Sequence, residues 1–379
     1  MTQRLKVMTI LGTRPDLIKT SRLLAELERR TDHVLVHTGQ NHDPNLCDVF
    51  FEELGIQRPR HELDATGPSA AEAIAEIVTR SDMVIREERP DAIVLYGDTN
   101  SALAVLAAKR HRIPVFHLEA GNRCFDARVP EEGNRRVVDH LADVNLAHSE
   151  QARQNLLREG LPTDRVFVIG SPLREVLEHY REEIDSSDIH LRLGLEAGGY
   201  FLASLHREEN VDDKERLRRL LASLAAIARE YDRPVLVSTH PRTRRRLEAL
   251  GEEPEGGGLT FHRPFGFFDY IKLQEQAHCV LSDSGSLTEE ASILGFPAVT
   301  LREAHERPEG MDRGVVVMSG IKPERVAQAV ELVTAHHREG RRAEPVPEYA
   351  GTDYARTVVR IVLGYVDYVK RTVWSEGGP

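Results

Sequence analysis

The sequence holds only three cysteines, Cys47, Cys124 and Cys279, with no CxxC pair among them. So sparse and odd a set argues against a disulfide framework and fits a reducing, cytoplasmic setting, each cysteine reading as a small apolar filler. Long apolar runs are missing too: none approaches the roughly 18 residues that suggest a membrane span. Positive charge is in short supply, with 50 Lys and Arg against 61 Asp and Glu for a net charge of -11, which argues against a nucleic-acid partner. The opening Met1-Thr2-Gln3-Arg4-Leu5-Lys6 enters a short apolar run with no small-residue cleavage site, unlike a secretory leader. No GxGxxG follows a strand pattern, and there is no GxxxxGK[ST], so neither a nicotinamide nor a P-loop fingerprint is present. HExxH is absent as well, and the histidines are scattered without ligand spacing. The expectation is a chain with no metal, no cofactor, no nucleic acid and no membrane.

What remains is ordinary globular composition, 40% hydrophobic and 29% charged over 379 residues. At roughly 150 residues per domain this length predicts two domains, possibly three. Short apolar runs alternate with helical patterns. Strands are expected at 5–11, 34–37, 92–96, 114–118, 143–146 and 166–169, with helices at 17–27, 71–85 and 103–109 between them. The alternation restarts after a polar helical joint at 180–195, with strands at 200–205, 234–238, 280–282 and 297–301 and a helix at 215–229. Such alternation signals parallel sheets covered on both faces. The reading is α/β, two doubly wound domains facing each other: 1–172, 195–350, and a terminal helix in 351–379 crossing back to the first domain.

In sheets of this kind ligands bind beyond the carboxyl ends of the strands, and those loops are rich in chemistry. Gly12-Thr13-Arg14-Pro15 ends a strand and opens a helix, so Arg14 and Lys19 form a candidate anion site. Asp98 follows a strand in Gly97-Asp98-Thr99-Asn100, where alone it would read as a helix cap. Glu119 ends another strand, and Glu131 and Glu132 open a helix whose dipole they would complement. Three acids at one sheet's mouth are harder to dismiss, because gathered like charges raise pKa values and create acids and bases. The second half offers His206-Arg207-Glu208 and His240-Pro241-Arg242 after strands, then Asp283-Ser284-Gly285-Ser286 before a helix. Backbone N–H groups of such a loop cradle diphosphates. Glu290, about one and a half turns into that helix, could accept from two ribose hydroxyls.

Taken together, Gly12-Thr13-Arg14-Pro15, Gly97-Asp98-Thr99, Glu119-Ala120-Gly121, Pro130-Glu131-Glu132, Asn134-Arg135, His206-Arg207-Glu208, Asp283-Ser284-Gly285 and Glu306-Arg307-Pro308-Glu309 resemble the UDP-N-acetylglucosamine 2-epimerase family in residue and in order. The resemblance implies two Rossmann-like domains across a cleft (a GT-B-like fold), a homodimer, and a UDP-sugar substrate. It implies that Ser284, Gly285 and Ser286 hold the diphosphate and Glu290 the ribose. His240, Arg242 and Arg263-Pro264-Phe265 would line the uridine. Arg14, Lys19, Asp98, Glu119, Glu131, Arg135, His206, Arg207 and Arg307 would surround the sugar and phosphates. The segments 38–41, 121–126 and 305–308 are similar to a branch from capsule and surface-sugar clusters, some of whose members act on 6-deoxy-N-acetyl-L-sugars. Asp16 stands where the family usually has Glu. The family's regulatory segment resembles Gln-His-Arg, whereas this chain reads Gln40-Asn41-His42-Asp43. An acid in place of a base predicts hyperbolic kinetics, without activation by a second UDP-GlcNAc.

The chemistry narrows the reaction. C2 of a pyranose bears no carbonyl, so its proton is not acidic enough for direct removal. Oxidation would need the missing nicotinamide fingerprint. Expulsion of UDP from C1 acidifies the C2 proton and gives a 2-acetamidoglycal, and UDP re-adds with a proton on the opposite face. Asp98, Glu119, Glu131 and His206 are the candidate catalytic residues. A C2 epimerase of a 6-deoxy sugar, a hydrolysing epimerase releasing ManNAc, and a glycosyltransferase on the same fold are the alternatives.

Overall fold

The computed structural model describes residues 4–40, 51–251 and 257–376; Cys47, the segment 41–43 and Gly256 lie outside them. The chain divides into two compact units, residues 1–176 with 348–379, and residues 177–347.

The first unit is built on a parallel sheet. Its strands are β1 (Lys6–Leu11), β2 (Asp32–His37), β3 (His61–Glu62), β4 (Ala92–Tyr96), β5 (Val115–Leu118), β6 (Val144–Ala147) and β7 (Val166–Val168), in the order β3-β2-β1-β4-β5-β6-β7. Every residue of β4 is buried, as a parallel strand covered on both faces requires. The helix Arg14–Arg30 begins after Thr13, whose backbone N–H donates to the Asp16 carboxylate, and Pro15 lies in its first turn. Its buried face carries Leu17, Leu24 and Leu27; truncating one such leucine to Ala costs about 2–5 kcal/mol. The helix Tyr354–Trp374 belongs to this unit, presenting Val358, Val362, Val366 and Val369 along one buried face and packing against Arg14–Arg30. The order of strands reverses between β1 and β4, so the loops after these two strands diverge and open a crevice.

The second unit repeats the plan. Strands β8 (Phe201–Leu205), β9 (Val235–Thr239), β10 (Leu259–His262), β11 (Cys279–Ser282), β12 (Ala298–Thr300) and β13 (Val317–Met318) run parallel in the order β10-β9-β8-β11-β12-β13. Leu220, Leu224 and Ile227 of the helix Lys214–Tyr231, with Val326 and Val330 of the helix Pro323–Arg338, close over Phe201, Val235 and Val299. Here the reversal falls between β8 and β11. Both units are thus doubly wound α/β sheets of the Rossmann type. The sequence reading omitted β3, β10 and β13, which are two to four residues long with partly exposed positions. The expected helix at 103–109 opens as a 3-10 turn, Asn100–Ala104, and becomes α-helical only at Val105. No helix among the described residues is long and apolar enough to cross a membrane.

Candidate active site

In the first unit the acids and bases singled out from sequence gather at the carboxyl ends of β1, β4 and β5. Lys19, one turn into the helix after β1, is buried and sits 3.6 Å from Glu119 Oε2. Glu119 is itself in a left-handed backbone conformation (φ 62°), and Asn122 Nδ2 donates to its Oε1 at 3.3 Å. Asp98 does not cap a helix. Its Oδ2 accepts from Arg135 Nε at 2.8 Å, and its carbonyl accepts from Asn134 Nδ2 at 3.0 Å. Arg135 also donates to Glu132 at 3.0 Å. The neighbouring glutamates therefore part company: Glu132 is buried and accepts from the Cys124 N–H, while Glu131 is half-buried in the helix's first turn. Cys124 is more than filler, its Sγ lying 3.4 Å from Glu132, whereas Cys279 is a buried strand residue whose thiol burial pushes well above its usual range.

Two backbone features bring these side chains close. A Cβ at Gly12 would meet Ser101 Oγ at 2.0 Å and Thr38 Oγ1 at 2.2 Å, two hydroxyls already bonded to each other at 2.7 Å. Only glycine lets β1 turn there. Asp16 then ties the turn down by accepting from Thr13 N at 3.1 Å and, more loosely, from Gly12 N at 3.4 Å. Burial raises the Asp16 pKa to about 7, against the lowering effect of its bonds to Thr13 and Gly12 and with a further push from Asp98.

In the second unit, Asp283 at the end of β11 is the hub. It is fully buried and accepts from His206 N at 3.0 Å, Arg207 N at 3.1 Å and Asn210 Nδ2 at 3.1 Å; His206 Nδ1 lies 3.1 Å away. Burial would raise its pKa, but the His206 charge and these bonds outweigh it and hold it below the usual range. The loop beyond carries Ser284 and Ser286, their hydroxyls 3.0 Å apart. A Cβ at Gly285 would stand 2.4 Å from Glu306 Oε1 and 3.2 Å from Arg307 Nη1. Glu290 is in the first turn of the helix Leu287–Leu294, nearer its start than sequence suggested. It is buried and accepts from Ser286 Oγ at 2.8 Å and Gln274 Nε2 at 2.6 Å. Arg307 is buried between Glu289 (2.7 Å) and Glu306 (3.3 Å). His240 caps the helix Pro241–Leu250 by accepting from Arg242 N at 3.2 Å, and its ring lies 6.0 Å from that of His206. Arg242 pairs with Glu208 at 2.5 Å, and Phe265 stacks on His262 at 5.6 Å.

Sequence reasoning gave no role to Asp283, Glu289 or Gln274, nor to Asp139, which reaches β5 from nine residues along the helix Pro130–Leu141. Asp283 stands within the Asp283-Ser284-Gly285 motif; nothing local marks Gln274 or Asp139, whose partners come from other elements.

Sheet topology and strand-end loops define an α/β enzyme of two doubly wound units, with carboxylates, cations and a glycine-serine turn gathered at the strand ends. The family model for UDP-N-acetylglucosamine 2-epimerase matches residues 25–363. The chain belongs to that family. A solved UDP-N-acetylglucosamine 2-epimerase from Rickettsia bellii is similar at 48% identity and a TM-score of 0.92, covering 99% of this chain and 100% of its own. The Methanocaldococcus jannaschii enzyme, solved in complex with UDP-GlcNAc and UDP, is similar at 33% identity and a TM-score of 0.89, over 95% of this chain and 100% of its own. A UDP-2,3-diacetamido-2,3-dideoxy-D-glucuronate 2-epimerase from Pseudomonas aeruginosa is 34% identical over 86% of this chain and 91% of its own length.

Proposed function

We propose that this chain is a nonhydrolysing epimerase interconverting UDP-GlcNAc and UDP-ManNAc, acting as a cytoplasmic homodimer without cofactor. The observation that supports the reading is the placement of Asp98 and Glu119 just after β4 and β5 of one sheet, with Arg14 and Lys19 on the helix after β1 and Lys19 3.6 Å from Glu119. The C1–O bond breaks with its electron pair leaving on UDP. The C2–H pair becomes the C1=C2 bond of a 2-acetamidoglycal, and the proton passes to a carboxylate. Re-addition of UDP at C1, with a proton delivered to the opposite face of C2, inverts that centre. Arg14, Lys19 and His206 offset the charge on the departing diphosphate; Asp98, Glu119 and Glu131 move the protons. Ser284, Gly285 and Ser286 bind the diphosphate with Arg207 and Arg307, Glu290 the ribose, and His240, Arg242 and Phe265 the uridine. Arg135 holds Asp98 in place.

The similarity to the Pseudomonas aeruginosa enzyme favours a second reading, the same chemistry on a different UDP-acetamido sugar. Incubation with UDP-GlcNAc in deuterated water, followed by NMR, tests both. UDP-ManNAc carrying deuterium at C2 is expected. Free ManNAc with UDP would mean a hydrolysing enzyme, and inertness toward UDP-GlcNAc with turnover of another UDP-acetamido sugar supports the second reading. Epimerised product that keeps only protium at C2 overturns the elimination.

A further inference from the structure

His117 lies on β5 two residues before Glu119 and is 1% exposed. Its strand neighbours in register are Leu95 on β4 and Asn145 on β6, both buried. Ring Nε2 is 2.7 Å from the Gly97 carbonyl oxygen and Nδ1 is 2.7 Å from Asp139 Oδ1. A carbonyl oxygen can only accept. Were Nε2 bare, two acceptors would face each other at 2.7 Å. Asp139 also only accepts here, taking Arg123 Nη1 at 2.7 Å and Gly121 N at 3.2 Å on Oδ2, the partners of an ionised carboxylate. Both ring nitrogens therefore donate, and a ring with two N–H groups is an imidazolium. Its charge is balanced by Asp139, and Arg123 beyond is balanced by Glu159 at 2.7 Å, as buried charges require.

This cation touches what the mechanism needs held still. Gly97 immediately precedes Asp98, Gly121 closes the turn after Glu119, and Asp139 is on the helix that starts with Glu131. We propose that His117 is a positioning residue, a buried imidazolium that clamps the Gly97–Asp98 turn, the Glu119–Gly121 turn and the Glu131 helix into one frame. The rate consequence rests on the epimerase reading; the charge state does not.

The whole enzyme, with 15N in its histidine rings, is examined by NMR between pH 7 and 8. The His117 ring signals are identified by their loss in His117→Asn, since His148 is buried as well and exchange alone does not separate the two. Both nitrogens are expected to carry hydrogen; a bare nitrogen at His117 overturns the proposal. In Asp139→Asn the amide donates to Nδ1, so the ring keeps its bond to Gly97 but loses its charge. The second nitrogen then reads as bare, and kcat falls roughly 10–100-fold, the scale on which a misplacement of about 1 Å acts, with KM little changed. Wild-type kcat in a folded Asp139→Asn enzyme overturns the clamp. If the unmodified enzyme turns over no UDP-sugar, the epimerase reading fails by itself, and the nitrogen spectrum still decides the charge.

Discussion

Asp16 ionises against its surroundings. From an unfolded value of 3.8 to a folded value of about 7, the native chain holds a proton that the unfolded chain has released, so stability falls as pH rises through that window. The full shift is on the order of 4 kcal/mol. Asparagine keeps the cap without the charge, so Asp16→Asn should gain on the wild type in melting temperature from pH 4 to 7 and no further; a gap that narrows over that range counts against the assignment. The site carboxylates behave differently. Asp98→Asn, Glu119→Gln and Glu131→Gln should each lower kcat roughly 10²–10⁴-fold, the loss expected of a proton-transferring group, and near-normal kcat in all three would remove them from the chemistry. Glu290→Ala should raise KM more than it lowers kcat, since ribose binding is largely the same in ground and transition states. Placement was legible where a short polar motif directly follows a strand, as for Glu119 after β5 and His206 after β8. It was not legible for Asp139, whose partner His117 is 22 positions away and becomes a neighbour only once helix and sheet are docked.

At the scale of elements, apolar runs disclosed the strands that carry the site. β4 reads off the sequence at its true bounds, because Ala-Ile-Val-Leu-Tyr can only be buried on both faces. β13 is just Val317–Met318, too short for any periodicity, and its existence depends on β12 offering it an edge. The loop between β11 and the helix Leu287–Leu294 is the element most open to test. Gly285→Ala drives a methyl to 2.4 Å from Glu306 Oε1 and toward Arg307, while the strand and helix on either side keep their own packing. We expect UDP affinity, measured by calorimetric titration, to drop at least tenfold, or about 1.4 kcal/mol, with the melting curve little moved. Unaltered UDP affinity would place the diphosphate elsewhere.

For the molecule as a whole, connectivity matters more than any one contact. The first unit takes its segments from both sides of the second. Five valines of the helix Tyr354–Trp374 (358, 359, 362, 366 and 369) are buried, a contribution on the order of 10 kcal/mol at ~1.5–3 kcal/mol each, comparable to a domain's whole stability of about 5–15 kcal/mol. A chain ending at Pro347 should therefore lose the first unit's calorimetric transition and keep the second's; two intact transitions would show the helix to be dispensable. The same interleaving sets an order on synthesis. A ribosome finishes the second unit before it has made the helix that completes the first. At ~5–20 residues per second the half-built first unit waits on the order of ten seconds with the side of Arg14–Arg30 that its partner helix will cover still bare. During that interval it is the nascent chain's natural target for a holding chaperone.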